Sequence, residues 1–347
     1  VGFTVILMLF QLGIYQGVKK GAAGYVQGCS GQVWICEKNS NNLIRSSSFL
    51  STTHAEKIAQ IPGVGEVTGI LRVLTTAEVN GKSVTLFLFG FDPESQLAVP
   101  APLLRGTSRI GAGEIIVDKA FAAKHRLKLG DVLQIKGRDI RLAGICEGTN
   151  TVVIQFVFTS IEEARHLLGF PNVVSFYLLH GDDKTAPDKL VETVKRSLPD
   201  LAVFGKEEFI QNNRDEMESG VLPVFWIIAL FGGILGVAII TLMLYGSVLE
   251  KRESFALLKA IGASQRFLVF LVLRQSILGA LTGFLAGLLS YWFLTPLITR
   301  LVPEITLGLT WSALLTVFAA TLFIGTIGSL MPVHKLGRIF PMEVFRQ

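Results

Sequence analysis

The chain has 347 residues, half of them hydrophobic and only 17% charged, with a mean hydropathy of +0.52, which excludes an ordinary soluble globular protein. A net charge of +5 and a pI near 9.1 do not make it a nucleic-acid binder. Much of the surplus Lys and Arg stands beside apolar runs, where cations collect on the cytoplasmic side of a membrane, so the partner read from composition is a lipid bilayer.

A spanning helix needs about 20 mostly apolar residues, because every backbone amide must be satisfied inside the lipid. Residues 1–18 are the first such run, read as a spanning helix clipped at its start, since it opens without Met and shows neither a basic n-region nor a small-residue cleavage site. Residues 19–205 change texture to short β-type runs, Gly and Asn turns and ordinary polarity, which predicts an inserted water-soluble α+β domain. Within it, 71–91 forms two strand-like runs joined at Asn80-Gly81, a pair suited to the positive φ of a tight hairpin. More strands are predicted over 113–146 and 173–179, and helices over 53–60, 119–125, 160–168 and 187–197. Residues 206–221 are polar and helix-prone and read as a stalk leading into a second span, 222–249. A charged loop, 250–266, precedes a third span, 267–293; a short loop, 294–308, a fourth span, 309–330, and a tail, 331–347, complete the chain.

Orientation follows from the short loops. Lys251, Arg252, Lys259 and Arg266 crowd the 250–266 loop, and Lys335, Arg338 and Arg346 lie in the tail, whereas the loop after the third span holds only Arg300. The 250–266 loop and the tail are therefore expected in the cytoplasm and the large domain outside; Lys19 and Lys20 run against this trend and are outweighed. Cys29, Cys36 and Cys146 would then face an oxidising compartment, with two readings open: a Cys29–Cys36 disulfide, or three free thiols.

Gly81-Lys82-Ser83 completes only the end of a phosphate-binding loop, with Thr76 where its first glycine belongs. The five histidines are scattered, without metal-ligand spacing, and no catalytic constellation or cofactor site emerges. The second and fourth spans hold no Asp, Glu, Lys, Arg or His and the third only Arg274, so an ion-coupled carrier is not expected. Gly279, Gly283 and Gly287 recur every fourth residue in the third span and predict a helix-packing seam, with Gly232 and Gly236 on the second span and Gly325 and Gly328 on the fourth.

In the 250–266 loop, Phe255, Leu258 and Ile261 fall on one helical face, Arg252, Glu253 and Lys259 stay available to water, and Gly262 suits the helix end. Such a helix either lies on the membrane surface or docks into a partner.

RESFALLKAIGAS (252–264) resembles the cytoplasmic signature of the FtsX-like permease family, the membrane subunits of MacB-type, or type VII, ABC transporters. MPVHKLGRIFPMEVFR (331–346) is similar to that family's ending, and IAQIPGVGEV (58–67) and KLGDVLQIKGRDIRLAGI (128–145) resemble pieces of its extracytoplasmic core domain. The resemblance implies four transmembrane helices with an inserted domain of MacB periplasmic-core type, in a bacterial inner membrane. It implies a homodimer, a periplasmic adaptor and a separate ABC ATPase subunit that binds the ATP and Mg, leaving this chain non-catalytic and without a cofactor. Carried over, Glu253, Leu257, Leu258, Lys259, Ala260, Ile261, Gly262 and Ala263 form the coupling helix that meets the ATPase. Phe255-Ala256 stands where many members have Ile-Gly, and Arg274-Gln275 where many have Glu. The function implied is the permease subunit of an exporter working by mechanotransmission; the alternatives are an FtsX-type transmitter that activates an extracytoplasmic cell-wall hydrolase and, last, a membrane-tethered sensor.

Overall fold

The computed structural model describes residues 1–100, 102–151, 154–220 and 223–337. The chain divides into two compact units: Val1–Gln16, Leu222–Arg300 and Leu307–Gln347 form one, and Gly17–Val221 with Leu301–Thr306 the other.

The second unit is the α+β domain. Helix α1 (Gly2–Gly28) contributes its last turns, followed by β1 (Val33–Glu37), β2 (Leu50–Ser51), α2 (His54–Ala59), β3 (Val64–Val79) and β4 (Lys82–Phe91). Next come β5 (Leu103–Gly106), β6 (Glu114–Asp118), α3 (Lys119–His125), β7 (Val132–Ile135), β8 (Arg138–Cys146), β9 (Gln155–Ser160) and α4 (Ile161–Leu168). The domain closes with β10 (Val173–Val174), β11 (Phe176–Gly181), α5 (Pro187–Ser197), β12 (Leu201–Gly205) and α6 (Lys206–Gly220). Its main sheet runs β12-β1-β11-β3-β4-β9-β6-β8-β5, with β7 pairing β3 and β8. The β4–β9 and β6–β8 pairs are parallel and the others antiparallel.

Strand β3 unites the domain because it serves two neighbours in turn. Residues 64–70 pair with β11 and residues 71–79 with β4. The β3–β4 hairpin turns where expected, with Asn80 at φ +51° and Gly81 at φ +73°, the left-handed pair a two-residue turn requires. Helix caps follow local chemistry: Asp118 accepts from the Ala120 N–H at the start of α3, and Ser160 from the Glu163 N–H at the start of α4. An aromatic core holds the layers together, Trp34 stacking on Phe209 at 4.8 Å and meeting Tyr25 edge-on at 6.3 Å.

Several elements run past their expected limits or divide within them. Helix α1 continues to Gly28, well past residue 18, because Gly17, Gly21 and Gly24 sit under the backbone of neighbouring loops: an added Cβ would strike the carbonyls of Thr306, Asn150 and Gly148. These glycines are the condition for close approach. The strand expected over 173–179 is interrupted at Ser175, whose N–H donates to the Ile70 carbonyl at 2.6 Å while its hydroxyl donates to Arg72 O at 3.1 Å. The third and fourth long helices extend past 293 and 330 and run through Pro296 and Pro332. A proline removes one backbone donor but does not end a helix surrounded by apolar neighbours.

The first unit is built from the first turns of α1, α7 (Pro223–Glu250), α8 (Arg252–Ala260), α9 (Gln265–Leu301) and α10 (Trp311–Gly337). With α1 as a whole, α7, α9 and α10 are long and apolar enough to cross a bilayer. Of the tail expected over 331–347, residues 331–337 continue α10 and residues 338–347 lie outside the described residues.

Candidate functional site: the helix between the second and third spans

Helix α8 is seated from one side only. Phe255 and Ala256 are buried and pack with Val248 of α7 and Leu268 and Val272 of α9; Leu258, Ala263 and Val333 close the cluster as half-buried neighbours. Burying a phenylalanine contributes about 2 kcal/mol, which is enough to fix a nine-residue helix that could not persist alone.

Of the expected Phe255, Leu258, Ile261 face, Phe255 is buried and Leu258 half-buried, but Ile261 stays outside. Ile261 is 75% exposed and Leu257 56% exposed, while Ala256 takes the place inside. Ile261 is the C-cap, and Gly262 turns the chain at φ +98°, so the helical period that would have brought Ile261 inward has already ended. Glu253, Ala260 and Gly262 are exposed and Lys259 is half-buried. The result is a small apolar knob, Leu257, Ala260, Ile261 and Gly262, held outward by the buried Phe255-Ala256 pair. Ala256 gave no signal in the sequence because an alanine reads equally well on either face.

Glycines bring the long helices of this unit together, though not all three expected in α9. A Cβ on Gly287 would lie 2.6 Å from Val5 Cγ1 and 3.0 Å from Gly2 O, and one on Gly283 would collide with Val1. Gly279, expected on the same seam, meets nothing within 4 Å. Along this seam Gly287 faces Val5 and Gly283 faces Val1, the first residue of α1's side of the contact. A Cβ on Gly328 would press on Ile240 at 2.8 Å, and one on Gly236 on Thr4 at 2.9 Å, so small residues also set the α7 contacts. Polar ties join these helices as well: Gln275 Nε2 donates to Ser247 Oγ at 3.1 Å and Ser276 Oγ to Gly325 O at 2.7 Å. An apolar hollow of about 820 Å³ opens between α1, α7 and α10, with Leu12, Trp226, Leu230 and Phe323 on its walls and no Asp, Glu, Lys, Arg or His lining it.

Of the two readings of the cysteines, the structure has the three free thiols: Cys29, Cys36 and Cys146 are unbridged and buried. Cys36 Sγ donates to the Ser40 carbonyl at 3.0 Å, a local contact that turns it to its own loop and not to Cys29. Desolvation pushes all three thiols up to about 12.

Comparison with known proteins fits this architecture. The MacB-like periplasmic core domain family matches residues 1–197, and the FtsX-like permease C-terminal family matches residues 226–341. The chain is 26% identical over 239 residues to an uncharacterized ABC transporter permease of Methanocaldococcus jannaschii, a match covering 63% of this chain and 58% of that one. It is 21% identical to the putative hemin transport system permease protein HrtB of Staphylococcus haemolyticus, covering 97% of this chain and 91% of the relative. The periplasmic region of MacB from Actinobacillus actinomycetemcomitans superposes with a TM-score of 0.42 at 13% identity, covering 53% of this chain and 92% of that structure. A membrane protein of four apolar helices with an extracytoplasmic α+β domain is the class these features define. The chain belongs to the FtsX-like, MacB-type family of ABC transporter permeases.

Proposed function

We propose that this chain is the mechanotransmitting permease of an ABC exporter in a bacterial inner membrane. A separate ATPase subunit, which binds the ATP and Mg, docks on α8 from the cytoplasm. Nucleotide-driven closure of two ATPase subunits moves the α8 helices of a permease homodimer; α7 and α6 carry the motion outward, and the α+β domain acts on a substrate delivered through a periplasmic adaptor. The single observation that supports this reading most is the exposed Leu257–Ile261 knob on a helix whose other side is buried between α7 and α9. A docking helix needs both: an apolar anchor for the partner and a rigid seat that passes on the push.

The spans favour such work over ion coupling, since residues 223–249 of α7 and 311–330 of α10 contain no Asp or Glu. The test is co-purification of an ATPase with the tagged permease from solubilised membranes. Leu257→Asp and Ile261→Asp should abolish it while leaving the permease folded. Undiminished association and ATPase stimulation in both variants would reject the docking role. The protein recovered on the outer side, an adaptor or a cell-wall hydrolase, separates export from transmission without transport.

A further inference from the structure

Arg72 is the most deeply buried cation of the outer domain, only 6% exposed in the middle of β3. Among the described residues no carboxylate pairs with it. Its guanidinium is spent on backbone carbonyls of one loop: Nη1 donates to Leu43 O and, at 3.3 Å, to Ile44 O, and Nη2 donates to Ser46 O at 2.8 Å. The plane also lies over the Phe87 ring, with Cζ 4.6 Å from its centroid. A buried charge is costly unless hydrogen-bonded; both Nη atoms are met by this loop while Nε has no hydrogen-bond partner, so Arg72 depends on the loop and the two hold each other in one geometry.

The far side of the same loop grips the stalk. Leu43 N–H donates to Asn213 Oδ1 of α6 at 2.8 Å, with Asn213 itself fully buried and donating to Phe209 O at 2.7 Å. Asn42 Nδ2 donates to Glu216 Oε2 at 3.3 Å, and Arg45 Nη1 stands 3.1 Å from Glu216 Oε1. The loop does not give between these two grips, because Asn42 Oδ1 accepts from the N–H groups of Ile44 and Arg45 at 2.9 and 2.8 Å and folds the turn on itself.

We infer that Arg72, through the 42–46 loop, is the positioning residue that locks α6 to the central strand of the outer sheet, so that stalk and sheet move as one body. The purpose of that movement rests on the mechanotransmission reading; the joint does not. A polar joint suits the task better than an apolar one, because directional hydrogen bonds fix axial and rotational register while apolar contacts allow sliding.

The test places spin labels at Thr76→Cys and Ser219→Cys, both exposed, in the full chain in lipid nanodiscs, where the buried native thiols do not compete. Pulsed electron resonance should give one narrow α6-to-sheet distance in the otherwise native protein. Arg72→Met should at least double the width of the distribution. Should Arg72→Met fail to fold, Arg45→Glu at the loop surface decides: it should broaden the distance, and the Arg45→Glu, Glu216→Arg swap should narrow it again. Equal widths in the native protein and every folded variant would overturn the joint. No ATPase is needed, so a rigid joint in a chain that recruits no ATPase upholds this inference and sinks the docking reading alone.

Discussion

The backbone N–H of Ala263 donates to the carbonyl of Leu258 at 2.9 Å, and the N–H of Gly262 to the carbonyl of Lys259 at 3.1 Å, which closes α8 with the paired bonds of a glycine-dependent helix end. Gly262 stands between them at φ +98°, where a Cβ is strained although nothing lies within 4 Å of it. Gly262→Ala should therefore cost about 1 kcal/mol at this turn alone. Hydrogen exchange at 258–263 should quicken several-fold with an unchanged melting temperature, and ATPase co-purification should weaken.

Phe255→Ala empties the seat of α8. The expected loss is about 3 kcal/mol of local packing. Proteolysis in the 250–266 loop should accelerate at least tenfold in detergent, while the melting of the outer domain stays where it was. Protection equal to the native protein would show that α8 is held by something other than its Phe255 anchor.

Gly283→Leu should disrupt the contact of α9 with the start of α1 and lower the melting temperature of the membrane unit. A melting temperature equal to that of the native protein would show that α9 does not rest on α1 through Gly283.

The three thiols should behave as buried, protonated groups. With each raised from 9.0 to about 12, their thiolate fraction at pH 8 is about a thousandfold below that of an unfolded cysteine. Alkylation at pH 8 should be negligible in the native protein and consume three thiols per chain after denaturation, with no disulfide under non-reducing conditions. The sign for stability follows: below pH 9 folded and unfolded chains hold these protons equally, and the contribution is full. As pH rises from 9 to 12 the unfolded chain sheds them first, so stability falls. A flat urea midpoint between pH 8 and 10 would contradict this burial.

Much of the plan was legible because its signals are local. Four apolar runs, the Asn80-Gly81 turn, the Lys119–His125 and Pro187–Ser197 helices and the short α8 all follow from patterns within a dozen residues. What escaped depends on distance along the chain. Nothing local singles out Arg72, over which a loop 29 residues earlier folds, or Glu304 of the expected 294–308 loop, which Lys124, 180 positions away, meets at 2.6 Å. The continuation of α1 past residue 18 was not legible because only the folded loops show why no side chain can stand at Gly17, Gly21 and Gly24. At the candidate site the helix and its terminating glycine were readable, but its buried face was not, since Phe255, Leu257, Leu258 and Ile261 are all apolar and only α7 and α9 decide which of them turn inward.

The most direct test is a photo-reactive amino acid at Ile261 in intact cells. Illumination should join the permease to a cytoplasmic protein that carries a nucleotide-binding loop, at a yield lowered by Leu257→Asp in the same chain. Cross-linking only to proteins of the outer compartment, or labelling of that position by a membrane-impermeant reagent added outside, would contradict the account.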